Sequence, residues 1–186
     1  MPSQRAPAAG ALADFRLSDV SGRPFELYGN SAKKAVVIVS FGVDCPIVQK
    51  GASAMRQLQK RFAADVEFVG LDANLGDTRE AVRKEAADFG IPWPILMDES
   101  QLVAKKLSIT RTAEAVVVDT RKWQIVYRGA VDDRLEYGAD KGAARHHYLQ
   151  DALDAVLKGE PPPVPETHAK GCAITFRDDK DALAPR

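Results

Sequence analysis

The run Ala35-Val36-Val37-Ile38-Val39-Ser40-Phe41 constrains this chain more than any other segment. An almost unbroken β-branched and apolar stretch has no wet face. It predicts a strand buried on both sides, the kind that sits centrally in a sheet covered by helices. Soon after it comes Pro46, which suits the first position of a helix because its missing N–H would be unpaired there anyway. Val48, Met55, Leu58 and Phe62 then recur at helical spacing, with Gly51 on the same face. The spacing predicts a helix that ends near Ala63. Cys45 therefore falls on the strand-to-helix junction.

The rest of the chain continues in the same alternation. Residues 14–28 alternate apolar and polar around Ser21-Gly22-Arg23-Pro24, which reads as a hairpin at the edge of something larger. Residues 66–71 form the next strand, 78–89 a charged amphipathic helix stopped by Gly90, and 95–97 a short strand. A short helix over 101–107 precedes an antiparallel pair, 115–119 and 124–128. The last helix is predicted over 144–157. The domain reading is thus a flexible tail over 1–13, an α/β domain over 14–158, an extended arm over 159–176 and a disordered tail over 177–186. Pro161-Pro162-Pro163 and Pro165 exclude a helix and favour an extended arm, and that arm carries Cys172.

Composition removes several function classes. The chain has 186 residues, enough for one domain with a substantial core. Its 26 basic and 26 acidic side chains give a formal net charge of +0, with no basic stripe, so nucleic acid is not an expected partner. No stretch approaches the roughly 18 apolar residues of a membrane span. Residues 1–13 lack the apolar core of a signal peptide. No Gly-rich phosphate loop and no nucleophilic serine motif appear. Asp132-Asp133 reads as a turn with helix-capping acids, and Trp93 and Trp123 as packing or surface aromatics.

The chemistry therefore rests on two cysteines. At a helix start, unpaired N–H groups and the helix dipole favour the thiolate of Cys45, the form that attacks disulfides and peroxides and binds soft metals. Asp44 opposes that shift. Cys172 lies in Lys170-Gly171-Cys172-Ala173-Ile174, where Gly171 permits close backbone approach and Ala173 to Phe176 can anchor the arm as an added strand or an apolar plug. Three arrangements are open: a redox pair, a fixed disulfide and a metal clamp. A disulfide needs Cα atoms within about 7 Å. Closing so long a loop is worth about 4–5 kcal/mol in the chain-entropy account. A clamp of Cys45, Cys172 and His168 supplies two sulfurs and one nitrogen, a set suited to copper(I) or zinc.

The element order, Cys45-Pro46, Thr110-Arg111-Thr112-Ala113 before Ala115 to Asp119, Tyr127-Arg128-Gly129-Ala130-Val131-Asp132-Asp133, and Pro163 to Thr167 followed by Gly171-Cys172-Ala173-Ile174 together resemble a peroxiredoxin-like redoxin family (AhpC/TSA type) with a terminal Gly-Cys-x-Ile motif. The resemblance covers about 14–176. It implies a thioredoxin-like α/β fold, with a central mixed sheet flanked by helices. It implies a thiol-dependent oxidoreductase in which the Cys45 thiolate attacks a peroxide or disulfide, Cys172 resolves the product and an external thiol restores both. It also implies a periplasmic or otherwise extracytoplasmic setting, since many relatives are exported. The sequence departs from related patterns at three places. Val48 stands where a thioredoxin has its second cysteine. Gly42 stands where a peroxiredoxin has Thr or Ser. Ala113 stands where they carry cis-Pro or Arg, and Arg111 is the candidate substitute, as an electrostatic stabiliser of the thiolate or the leaving oxygen. The non-enzymatic alternative is a copper-binding protein.

Overall fold

The structure, a computed structural model, describes residues 10–134 and 142–178. Its centre is a five-stranded sheet of β3 (Ala35–Phe41), β4 (Val66–Asp72), β5 (Ile95–Met97), β6 (Ala115–Asp119) and β7 (Gln124–Gly129). The strand order is β5-β4-β3-β6-β7. β3 pairs parallel with β4 and antiparallel with β6. The fold is thioredoxin-like, with a central mixed sheet and flanking helices.

The reason for the apolar run is visible in β3. Ala35, Val37 and Phe41 enter one core, and Val36 and Ile38 enter the core on the other face. β6 divides the same way, with Ala115 and Val117 on the first side and Val116 and Val118 on the second. Strand geometry sends successive side chains to opposite faces, so a doubly covered strand is apolar at every step.

The first core takes Met55 and Phe62 from α1 (Pro46–Phe62), Val82 and Ala86 from α2 (Arg79–Asp88), and Leu149, Leu153 and Val156 from α4 (Tyr148–Lys158). The second takes Val103 and Ala104 from α3 (Leu102–Lys106), Phe15 and Leu27 from the N-terminal segment, and Ile174 from the arm. The hairpin β1 (Arg16–Ser18) and β2 (Pro24–Glu26) pairs Leu17 with Phe25. It docks beside the edge strand β5, where Val20 N–H donates to Ile95 O at 2.9 Å.

α4 begins at Tyr148 rather than at 144. The intervening backbone is held otherwise: Arg145 and His146 N–H donate to Asp133 Oδ1 at 3.0 and 3.3 Å. Asp133 thus caps a turn, while Asp132 accepts from Arg134. Trp93 is buried beside Phe68, and Trp123 stacks on Tyr28 at 4.2 Å between ring centroids. Of the segments expected as tails, residues 1–9 and 179–186 lie outside the described residues. Leu12 is buried, and its N–H donates to Trp123 O at 2.7 Å. Arg177 N–H donates to Gln101 Oε1. Among the described residues no helix is long and apolar enough to cross a membrane.

Candidate active site

The arm after α4 runs in three anchored steps. At β7, Arg128 N–H donates to Pro165 O and Thr167 N–H donates to Arg128 O, a short parallel bridge. Thr167 Oγ1 also bonds the buried Tyr127 hydroxyl at 2.7 Å and accepts Ala130 N–H at 2.9 Å. Burial pushes the Tyr127 phenol up to about 12, against the opposing effect of the Thr167 bond, so it stays protonated. Gly129 makes this approach possible, because a Cβ there would lie 2.4 Å from the Thr167 carbonyl oxygen.

The second step is at 171–174. Thr112 N–H donates to Cys172 O at 2.9 Å and Ile174 N–H to Thr110 O at 2.9 Å. The third is past the sheet end, where Thr175 N–H donates to Asn74 Oδ1 and Gln101 Nε2 donates to Thr175 O. The proline-rich composition required extended backbone, and these bonds fix its path to the helix start.

Cys45 is the residue before α1, with φ −88° and ψ 111°, and Pro46 opens the helix. Its Sγ lies 3.0 Å from Cys172 Sγ and 3.0 Å from Thr112 Oγ1. The cysteines are not bonded to each other. Thr112 Oγ1 also accepts Cys172 N–H at 2.8 Å, so one hydroxyl touches both cysteines. Burial works to raise the Cys45 thiol. The Cys172 thiol, the Thr112 hydroxyl and the N–H groups of Cys172 and Val48 outweigh it, and the thiol is held below its ordinary range.

Cys45 is only 2% exposed, while Cys172 is half-buried and packs against the core that holds Cys45. Cys172 is therefore the more exposed residue of the pair. Cys45 still lines an open cleft of about 420 Å³ with Pro46, Gln49, Glu85 and Phe89. The loop before it is fixed from β4–α2: Val43 N–H donates to Asp77 Oδ2 and Asp44 N–H to Glu85.

The other candidates fall in different places. Arg111 does not face the sulfurs with a free guanidinium; its Nη1 donates to Gly171 O at 3.0 Å and helps dock the arm. His168 lines a separate groove with Arg111 and Arg128. Among the described residues no three His, Cys, Asp or Glu side chains are grouped to hold a metal ion.

Thr112 is the site residue that sequence reasoning missed. Its signal was the pair of glycines around it. A Cβ at Gly42 would lie 2.6 Å from Thr112 Cγ2, and one at Gly171 would lie 1.9 Å from Thr112 O. In sequence, Gly42 shows only that the Thr or Ser of a peroxiredoxin is absent. It is also the space that lets a hydroxyl from another segment reach Cys45.

This architecture defines the thioredoxin-like class. Residues 8–152 match the AhpC/TSA family, and the chain belongs to it. An uncharacterised conserved protein from Geobacillus kaustophilus is similar at 29% identity and TM-score 0.80, over 95% of this chain and 97% of that one. A hypothetical protein from Sinorhizobium meliloti is similar at 29% identity and TM-score 0.78, over 92% and 96%. A peroxidoxin from Mycobacterium tuberculosis shares the fold at 21% identity and TM-score 0.57, over 80% and 92%. No curated protein matches the chain. Family and fold together support the general class of thiol oxidoreductase.

Proposed function

We propose that this protein is a two-thiol oxidoreductase that cycles between a Cys45/Cys172 dithiol and a Cys45–Cys172 disulfide. The observation that carries the reading is the 3.0 Å contact between the two sulfurs, with Thr112 Oγ1 beside Cys45. Closing that contact to a disulfide needs a movement of about 1 Å.

Thiol–disulfide exchange is the reaction this geometry favours. The Cys45 thiolate attacks one sulfur of a substrate disulfide, and the other sulfur leaves as a thiolate and takes a proton. Cys172 then loses its proton, attacks Cys45 Sγ and releases the second substrate thiol. The substrate gains two electrons and two protons, and the protein loses them. With a peroxide as oxidant, Cys45 breaks the O–O bond and becomes a sulfenic acid, and Cys172 displaces water from it. Exchange is favoured because Arg111, the candidate stabiliser of a leaving oxygen, is engaged with Gly171 O.

The test is to oxidise the reduced protein with a small aromatic disulfide or with hydrogen peroxide, and to follow thiol loss and the cross-link by peptide mass. The expected result is loss of both thiols per chain, a Cys45–Cys172 cross-link, and at least about 100-fold slower turnover in Cys45→Ser. Full turnover in Cys45→Ser overturns the reading. Copper(I) titration is the companion measurement: tight binding of one ion, lost in both cysteine variants, with no disulfide turnover, selects the metal-binding alternative.

A further inference from the structure

A groove of about 820 Å³ opens on the outer side of the arm segment that leads into Cys172. Arg111, Arg128, Lys170 and His168 line it, with Glu114 and Glu166. It is large enough for a small-molecule ligand. Its cations outnumber its carboxylates, and Glu114 already accepts the N–H groups of Thr110 and Arg111.

The decisive group is Arg128. Among the described residues its guanidinium has no hydrogen bond and no ion pair, and its Nε is fully buried without a partner. A buried N–H of a cation is costly to leave without an acceptor. With Nε enclosed, the two terminal nitrogens of Arg128 are the donors left for a planar two-oxygen anion in the groove it lines.

Lys170, the last arm residue lining the groove, stands two positions before Cys172, and Arg111 of the groove donates to Gly171 O. A tripeptide-sized thiol spans on the order of 10 Å.

We infer that this groove binds the carboxylate of a low-molecular-weight thiol, the reductant that reopens the Cys45–Cys172 disulfide, through Arg128 and its cationic neighbours. The inference rests on the redox reading above. The reductant thiolate attacks Cys172 Sγ and forms a mixed disulfide there. Cys45 leaves as a thiolate, which the Thr112 hydroxyl 3.0 Å away is placed to stabilise. A second reductant thiolate attacks the reductant's own sulfur, frees Cys172 and yields the reductant's disulfide. The two protons released by the reductant thiols end on Cys45 and Cys172.

The experiment has two arms. In the first, S-methylglutathione, which carries carboxylates but cannot exchange, is titrated calorimetrically into the reduced protein. Saturable binding is expected, weakened at least tenfold in Arg128→Gln and severalfold in the surface variant Lys170→Ala. In the second, the oxidised protein is reduced by glutathione and by 2-mercaptoethanol, and the ratio of the two rates is compared. That ratio is expected to fall at least tenfold in Arg128→Gln. Absence of saturable binding, or an unchanged ratio in both variants, overturns the inference. If no Cys45–Cys172 disulfide forms with any oxidant, the redox reading fails, and the calorimetric arm still decides whether the groove takes a carboxylate.

Discussion

Gly171 packs flat against the backbone of Thr112, with the space for a Cβ ending 1.9 Å from the Thr112 carbonyl oxygen. This contact brings Cys172 to Cys45, because the next residue along is the thiol itself. Any side chain at 171 has to push the arm off the sheet end.

Gly171→Ala is therefore expected to lift residues 171–174 while leaving the core folded. The predicted outcome is slower formation of the Cys45–Cys172 cross-link by about tenfold or more, together with faster alkylation of Cys45 as its cover is removed. Peptide mass spectrometry after pulsed alkylation reads both changes at once. Unaltered cross-linking would show that the arm does not need this approach.

Thr112 is expected to help hold the Cys45 thiol low, after the larger effect of the Cys172 thiol. A hydrogen bond to the charged form favours it, so removing this one raises the thiol. Thr112→Ala should raise the Cys45 titration midpoint toward the ordinary thiol range, whereas Thr112→Ser should keep it low. The lowered thiol of the folded protein adds stability above its unfolded value, and that contribution is lost as pH falls through the folded one. Thiolate absorbance against pH checks the midpoint.

How much of this was legible in the sequence follows from the kind of signal each feature leaves. The β3 run, the helix after Pro46 and the amphipathic stripes are periodic, and periodicity survives in a linear string. Thr112 leaves no such trace. It touches Cys45 across 67 positions, and no local pattern marks a hydroxyl that acts at that range. Arg111 was singled out for its charge, but its partner is a backbone carbonyl, which no sequence displays. The late start of α4 has the same origin, since Asp133 competes for N–H groups twelve and thirteen residues downstream.

Asp72 gives a prediction about stability. It ends β4 opposite Phe41, is 2% exposed, and among the described residues its Oδ2 has no hydrogen-bond partner. Burial, followed by the nearby Asp77 carboxylate, pushes it up to about 8. A raised carboxyl binds its proton in the folded chain and releases it in the unfolded one. The stability it allows is full below about 4 and is lost as pH rises toward about 8. Asp72→Asn should flatten that dependence and stabilise the chain by about 1 kcal/mol near pH 8, a Tm gain of about 2–4 °C. Thermal melts across that range decide it, and an unchanged slope would contradict it.

The arm has a second anchor at Tyr127 and Thr167, remote from the sulfurs. Thr167→Ala removes the partner of a buried phenol and of Ala130 N–H, at a cost of about 1–3 kcal/mol. Hydrogen exchange should rise in residues 165–176 before it rises in β3 or β6. Uniform loss of protection across the sheet would mean that the arm and the core open as one unit.

The most direct test of the central claim is the redox titration of the Cys45/Cys172 pair against a thiol–disulfide buffer, read as cross-linked peptide. A reversible two-electron transition with a potential between about −300 and −180 mV is predicted, the range of exchanging dithiols. A pair that never cross-links, or one that stays oxidised well below about −300 mV, would contradict it.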